Sequence, residues 1–295
     1  GGPGFLLLLA PLLCCRACCP GTSMLIGIDA SRALAAEPTG TEHYSVNIIR
    51  ALADLGNGHR YRLYTPRAPS AELVRTMAGV EWRVIPLPRL WTHIRLSVEM
   101  LQAPPDVLFV PAHVVPMAHR RRCVVTIHDL GYLRFPQAHP WRQRLYLDWS
   151  TRWSATVARR VIADSEATKR DLIDYYGVDG NKVTVAYPAG RDLNAWPALD
   201  DAQTLARWGL KPGYVLAVGT VQPRKNLCVL LDACSALYRT GGLPDWARIV
   251  LAGRAGWLCG ETLARAEAAD LRGRVVITGY VSDPDLAALY RGARL

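Results

Sequence analysis

Residues 214–226 read YVLAVGTVQPRKN. A short apolar run stops at Gly219 and gives way to a loop that ends in two adjacent cations, Arg224 and Lys225. After Asn226 apolar residues recur at helical spacing, with Leu227, Leu230, Leu231 and Ala233 expected on one side. A buried strand therefore ends shortly before a helix begins, and the two cations stand at the junction. Backbone N–H groups at a helix start favour anions. Arginine adds a planar fork that matches phosphate oxygens, and lysine adds a point charge. Two cations at a positive helix end oppose the helix dipole, an arrangement that makes sense with an anion between them. The segment reads as a diphosphate site at the end of a strand.

The same rhythm extends outward from this stretch. Upstream, strands are expected over 25–29, 61–65, 82–87, 107–111, 124–129, 160–164 and 183–187, and helices over 42–55, 71–77, 94–101, 141–158 and 166–176. A mostly polar stretch, AGRDLNAWPALDDAQ, is interrupted by Pro197 and reads as a linker. Beyond it, strands over 214–219, 248–252 and 274–279 alternate with helices reaching 237, near 261–269 and over 285–291. Val/Ile-rich strands interleaved with helices imply parallel sheets covered on both faces, with ligands beyond the carboxyl ends of the strands. The expected division is an upstream or non-native extension over 1–23, a first domain over 24–190, a linker over 191–210 and a second domain over 211–295. Three strands are few for a lone domain. The closing residues GARL read as a helix end and the first residue of another strand, so the second domain is expected to be incomplete.

A length of 295 residues suits about two domains. The net charge of +10 favours anionic partners. No block of like charge or RNA-binding aromatic motif points to nucleic acid. The N-terminal piece GGPGFLLLLAPLLCCRACCPGTS has an apolar run too short to span a bilayer and lacks a basic flank. The preferred native start is Met24, with a lipid-anchored or secreted N-terminus as the alternative. CCRACC has no second ligand pair at zinc spacing. Cys123, Cys228, Cys234 and Cys259 are expected as free, mostly buried thiols of a cytosolic protein.

Other strand ends carry pointed chemistry. TIHDL places His128 and Asp129 at a carboxyl end, where a structural and a functional histidine are both open readings. In ADSEATKRDL, Ser165 is expected to cap a helix. PTGT puts Gly40 in a turn before a helix, where a ligand can approach backbone, although neither a G-x-G-x-x-G nor a Walker loop is present. Asp283, Pro284 and Asp285 read as an N-cap and first helical turn rather than a metal pair. Trp141, Leu145, Trp149, Trp153 and Val157 recur every four residues among arginines. A core-facing stripe is favoured there over a basic, aromatic surface for an anionic membrane.

Taken together, GIDASRA, PTGTEHY, VVTIHDLGYLRFP, ADSEATKRDL, VGTVQPRKN, LAGRAGW and ITGYVSD resemble the retaining glycosyltransferases of family 4, mannosyltransferase-like members above all, from Met24 to Leu295. The resemblance implies an α/β chain of GT-B type: two Rossmann-like domains facing across a cleft, the second incomplete. It implies transfer of a hexosyl group, mannosyl or glucosyl, from a GDP- or UDP-sugar to a glycan or lipid-linked acceptor, with retained configuration, in cell-surface polysaccharide or glycoconjugate synthesis. No metal or other cofactor is implied, and the expected location is the cytoplasm or, peripherally, the inner membrane face. Arg224 and Lys225 are implied to bind the donor diphosphate, and His128 to approach the transferred sugar. Gly40 and Thr41 are implied near the phosphates, Gly219 at the donor, and Gly253, Tyr280 and Val281 around the nucleoside. Two departures stand out: the family's Glu, seven residues, Glu motif is absent, and Thr41-Glu42 occupy positions where many members have small residues. A GT-B epimerase or phosphorylase and a non-catalytic nucleotide-sugar binder are the alternatives.

Overall fold

A computed structural model of the chain describes residues 23–112, 114–118, 122–190 and 201–295. These fall into two compact units, one of residues 23–133 and 145–190, the other of 134–144 and 201–295.

The first unit is built on seven strands: β1 Leu25–Asp29, β2 Arg60–Thr65, β3 Glu81–Val84, β4 Val107–Val110, β5 Cys123–Ile127, β6 Arg160–Ala163 and β7 Val183–Val185. All pair in parallel, in the order β3-β2-β1-β4-β5-β6-β7. Every residue of β5 is buried, as a strand covered on both faces requires. The helices are α1 Gly40–Ala53, α2 Ala71–Thr76, α3 Ser97–Gln102, α4 Gly131–Arg134, α5 Trp141–Val157 and α6 Glu166–Tyr176, the first turn of α5 counting with the second unit. One core layer gathers Ile26, Ile49, Leu52 and Phe109, and the other Tyr64, Leu96, Leu108 and Val125. Phe109 is fully buried, so its truncation to alanine costs about 3–5 kcal/mol. The strand order reverses between β1 and β4, the kind of point beyond which open α/β sheets hold ligands.

The second unit has a sheet of β8 Val215–Val218, β9 Ile249–Ala252 and β10 Val275–Gly279, parallel and in the order β10-β9-β8. Its helices are α7 Asp201–Ala206, α8 Leu227–Arg239, α9 Gly260–Ala266 and α10 Asp283–Gly292. Arg291 of α10 forks onto the Asp201 carboxylate at 2.6 and 2.7 Å, tying α7 to α10. Ala293 pairs in parallel with Tyr214, and Leu216 N–H donates to the Leu295 carbonyl at 2.8 Å. The GARL stretch thus leaves the helix and makes a single parallel bridge beside β8.

Several expected boundaries shift for identifiable reasons. The strand expected over 82–87 stops at Val84, because Pro86 and Pro88 cannot donate to a ladder. The helix expected over 94–101 opens earlier with a π-turn, Thr92–Leu96, in which Leu96 N–H reaches the Trp91 carbonyl at 2.9 Å. That wide turn lets Trp91 and Leu96, five residues apart, both face the core. On α8, Ala233 is exposed and Cys234 takes its place beside Leu231. Ser282, not Asp283, caps α10, leaving Asp283 and Pro284 as its first residues. The largest correction concerns α5. Its buried residues are Ser150, Thr151, Ser154 and Ala155, while Trp141, Leu145 and Trp149 are exposed. The first three positions of the expected core-facing stripe therefore face outward, while Trp153 and Val157 are half-buried and Val157 packs against the core. Small residues let the helix lie close to its neighbours: Ser154 Oγ donates to the Ser150 carbonyl at 2.7 Å and accepts from Val115 N–H at 3.0 Å.

Of the expected linker 191–210, residues 191–200 lie outside the described residues, as do 1–22 with their four clustered cysteines. The remaining four cysteines are free thiols, Cys123 and Cys234 buried and the other two half-buried. Burial pushes the Cys123 thiol up to about 12. Among the described residues no helix is long and apolar enough to cross a membrane.

Candidate functional site

In the first unit, chemistry collects at the ends of β4, β5 and β6, which are neighbours in the sheet. His128 follows β5 directly and Asp164 follows β6. The register pairs Ile127 with Ala163, so the next residue of each strand brings the two side chains together. His128 Nδ1 lies 2.6 Å from Asp164 Oδ2, and Nε2 lies 3.0 Å from the Pro111 carbonyl. A carbonyl only accepts, so Nε2 carries a hydrogen. The contact between Nδ1 and Oδ2 fixes the orientation of the ring. The other carboxylate oxygen, Asp164 Oδ1, is buried without a hydrogen-bond partner.

Three neighbours hold this pair in place. The Tyr44 ring of α1 stands edge-on to the imidazole, with ring centres 4.9 Å apart, and its hydroxyl meets Thr126 Oγ1 at 3.2 Å. Burial pushes the Tyr44 phenol well above its ordinary value, so it stays protonated. The Thr168 hydroxyl donates to the His128 carbonyl at 3.0 Å, while Thr168 N–H donates to Ser165 Oγ at 3.1 Å. Ser165 is the N-cap of α6, as expected, and through Thr168 the cap also fixes the end of β5. Helix α6 closes at Gly177 in the left-handed conformation, whose N–H donates to the Ile173 carbonyl.

Gly40 is the first residue of α1, with Thr39 as N-cap and Glu42 completing a reciprocal capping box. A Cβ built on Gly40 would meet nothing within 4 Å, so the helix start beside Thr41 is open. Glu42 accepts from Thr39 N–H at 3.1 Å and from Arg32 at 3.3 Å. Burial alone would raise its pKa, but the Thr39 hydrogen bonds and the Arg32 charge outweigh it and hold the carboxyl below its ordinary value. At the end of β1, burial instead raises the Asp29 carboxyl, against the hydrogen bond it accepts from Ser31 N–H at 3.0 Å.

The second unit ends its strands differently. Gly219, Gly253 and Gly279 stand at or just past the ends of β8, β9 and β10, with φ of 133°, 155° and 70°. A Cβ on Gly253 would fall 2.1 Å from the Gly219 carbonyl oxygen, so two strand ends approach as only glycine permits. Val221 N–H donates to the Arg254 carbonyl and Gly256 N–H to the Val221 carbonyl, both at 2.9 Å, which lace the loops after β8 and β9 together. Arg224 and Lys225 lie in a 3-10 turn, Pro223–Lys225, separated from α8 by Asn226 in the left-handed conformation. The cations therefore occupy their own turn, one residue short of the helix. Lys225 folds back over the strand end, its Cε 3.4 Å and Nζ 3.6 Å from where a Gly219 Cβ would stand. Arg224 is exposed. Tyr280 is exposed beside Gly279, whereas the Val281 side chain is buried among Val250, Leu286 and Leu289.

So Gly219 meets Lys225 and Gly253 in the second unit, and His128 gathers its partners in the first. Sequence reasoning missed Asp164, Tyr44 and Gly279, although each lies within a quoted motif. The signal that finds Asp164 is positional: it is the first residue past a strand adjacent to the one ending before His128.

Comparison with known proteins places the chain. The Glycosyltransferase Family 4 profile matches residues 38–189, and a second profile, Glycosyl transferases group 1, matches 212–295. The chain is 28% identical over 183 residues to the O-antigen chain mannosyltransferase B of Escherichia coli, covering 60% of this chain and 47% of that protein. It is 38% identical over 154 residues to the D-inositol 3-phosphate glycosyltransferase of Salinispora tropica, covering 47% of this chain and 31% of that protein. The chain thus spans about half or less of the curated relatives it matches. The structure of Anabaena HepE with UDP-glucose superposes with a TM-score of 0.63 at 20% identity, covering 89% of this chain and 71% of that one. WaaG, a glycosyltransferase involved in lipopolysaccharide biosynthesis, gives 0.59 at 13%, covering 92% and 74%. These likenesses bear out the GT-B type of α/β fold. The chain belongs to glycosyltransferase family 4.

Proposed function

We propose that the protein transfers a hexosyl group, mannosyl or glucosyl, from a nucleotide-diphosphate sugar to a hydroxyl of a glycan or lipid-linked acceptor, with retained configuration and without a metal, in cell-surface polysaccharide or glycoconjugate synthesis. The observation that carries this is the Gly219–Lys225 corner, where a bare strand end lies under a lysine ammonium with an arginine beside it. A diphosphate fits there because it needs cationic charge and backbone access at once. In the reaction the bond to the diphosphate loosens first, leaving an oxocarbenium-like sugar. Arg224 and Lys225 offset the charge that gathers on the leaving group. The acceptor oxygen attacks the face the diphosphate leaves, and the hydroxyl proton passes to the departing diphosphate oxygen.

On this reading residues 211–295 hold the nucleotide sugar, with Gly253 and Tyr280 beside the nucleoside and Val281 contributing backbone only, its side chain being buried. Residues 24–190 serve the acceptor side, with Gly40 and Thr41 near the phosphates. His128 stands near the sugar, its ring held by the Pro111 carbonyl and by Asp164.

Titration calorimetry with UDP-, GDP- and ADP-sugars tests the donor half on this chain. Arg224→Ala with Lys225→Ala is expected to weaken donor binding at least about 100-fold, since two charge-assisted contacts are lost. Unchanged affinity would sink the assignment. Radiolabelled donor given to the protein, with and without acceptor, separates transfer from epimerisation and from simple binding. Turnover that survives a chelator supports the metal-free mechanism, and loss of turnover overturns it.

A further inference from the structure

We propose that Asp164 is a positioning residue for the transfer reaction, holding the His128 imidazole in the one orientation that serves the sugar. The inference rests on the transfer reading for what the ring serves, and on the structure alone for how the ring is held. Asp164 stands at a junction fixed from both sides. Before it, Ala163 pairs with Ile127 and Val185, and its carbonyl accepts from Ala186 N–H at 2.9 Å. After it, Ser165 caps α6. Backbone held on both sides keeps the carboxylate aimed at His128, with Oδ2 2.6 Å from Nδ1.

Neither the strand nor the helix cap calls for a carboxylate at this position. Ser165 Oγ already accepts from Thr168 N–H, and the Thr168 hydroxyl already ties α6 to the His128 carbonyl. The Asp164 side chain is only 17% exposed, and its Oδ1 is buried without a hydrogen-bond partner. A buried oxygen left in that state costs stability, and native proteins keep such a cost mainly where a site needs it.

What the carboxylate adds is a second restraint on the ring. The Pro111 carbonyl, 3.0 Å from Nε2, fixes one nitrogen, and that contact by itself lets the imidazole pivot about it. Asp164 fixes the other nitrogen, and the Tyr44 ring stands edge-on with centres 4.9 Å apart. These contacts come from three different elements, the ends of β4 and β6 and helix α1, and together they select one orientation. A ring held in advance needs no reorganisation as charge develops on the sugar. On the transfer reading, donor affinity is carried by Arg224 and Lys225. Loss of Asp164 should therefore be felt in turnover and not in donor binding.

Two readouts test this on the protein, one of which needs no turnover. The first is the nuclear magnetic resonance of the histidine ring nitrogens, with His128 assigned through His128→Gln. The parent is expected to give one set of Nδ1 and Nε2 resonances for His128, Asp164→Ala a doubled or exchange-broadened set, and Asp164→Asn one set again. The second is the release of nucleoside diphosphate from UDP-glucose, GDP-mannose or ADP-glucose with water as the acceptor. In Asp164→Ala, kcat should fall at least about tenfold while the donor KM stays within about twofold, and Asp164→Asn should recover kcat to within about threefold of the parent. If circular dichroism shows Asp164→Ala unfolded, Asp164→Ser takes its place, being too short to reach Nδ1. A single unchanged set of ring resonances in the Ala or Ser variant overturns the proposal. So does an unchanged kcat, or a loss shared equally by kcat and donor affinity, which marks a carboxylate that only supports the fold. A parent that releases no diphosphate counts against the transferase reading instead, and the ring resonances then decide the positioning by themselves.

Discussion

The two units finish their strands in opposite ways. In the first, the ends of β4, β5 and β6 are closed by side chains bonded to one another and to backbone carbonyls: the Pro111 carbonyl, His128, Asp164 and Thr168 form a linked set beside the Tyr44 ring. In the second, three neighbouring strands run out into glycine, and Lys225 reaches the Gly219 end from a separate turn. Side chains that already satisfy one another hold a fixed shape and can share a proton. Glycine ends offer backbone and space, which suits a ligand that brings its own charge. The units should therefore fail in different ways, the first when atoms are removed and the second when they are added.

Adding atoms has the largest expected effect. Gly253→Val places a branched side chain where even a Cβ would lie 2.1 Å from the Gly219 carbonyl, at φ 155°. The cost is expected to exceed about 4 kcal/mol, enough to unfold the second unit in a urea titration. Gly40→Ala is the contrasting change, because it adds a methyl into open space at a helix start. Its stability should stay within about 1 kcal/mol of the parent. Equal losses from the two would break the comparison. Removal comes next. Asp164→Ala takes the partner from His128 Nδ1 while Nε2 keeps the Pro111 carbonyl. Both side chains retain some solvent contact, so the expected loss is about 2 kcal/mol rather than the full cost of a buried orphaned charge. The low-field Nδ1 proton resonance of His128 should vanish with it. Asp164→Asn should lose less, since an amide still offers His128 a hydrogen-bonding partner.

How much of this was legible in the chain follows from the range over which each signal acts. Strand and helix alternation is local, and every expected strand is present to within a few residues. His128 was found because TIHDL marks a strand end. Asp164, 36 residues away, becomes its partner only through the pairing of β5 with β6, and a linear reading does not say which strands are neighbours. On α5 the four-residue period correctly groups Leu145 and Trp149 on one face. Period cannot say which face packs, and here Ser150, Thr151, Ser154 and Ala155 allow a closer approach than indoles would. The Arg224–Lys225 pair was placed correctly past the strand, but Asn226 in a left-handed turn parts it from α8, a break that a sequence without glycine there does not announce.

Smaller effects sharpen the picture within the first unit. Tyr44→Phe deletes the hydroxyl that meets Thr126 and leaves the ring beside His128, so about 1 kcal/mol is expected from thermal unfolding. The smallest contrast sets two carboxylates against each other. Glu42 titrates below its ordinary 4.5 when folded, so its stabilising contribution is complete above that pH and is lost as the pH falls through the folded value. Glu42→Gln should then destabilise at pH 7 and converge on the parent in acid. Asp29 titrates above its ordinary 3.8 when folded, so ionisation favours the unfolded chain as the pH rises past that value. Asp29→Asn keeps an oxygen for Ser31 N–H and removes the buried charge, so it should stabilise at pH 7 and match the parent near pH 3. Unfolding curves at the two pH values, compared across the pair, must therefore diverge in opposite directions. A shared direction would mean that the capping hydrogen bonds of Thr39 do not outweigh burial at Glu42. The polar closure of this unit would then cost stability at both carboxylates.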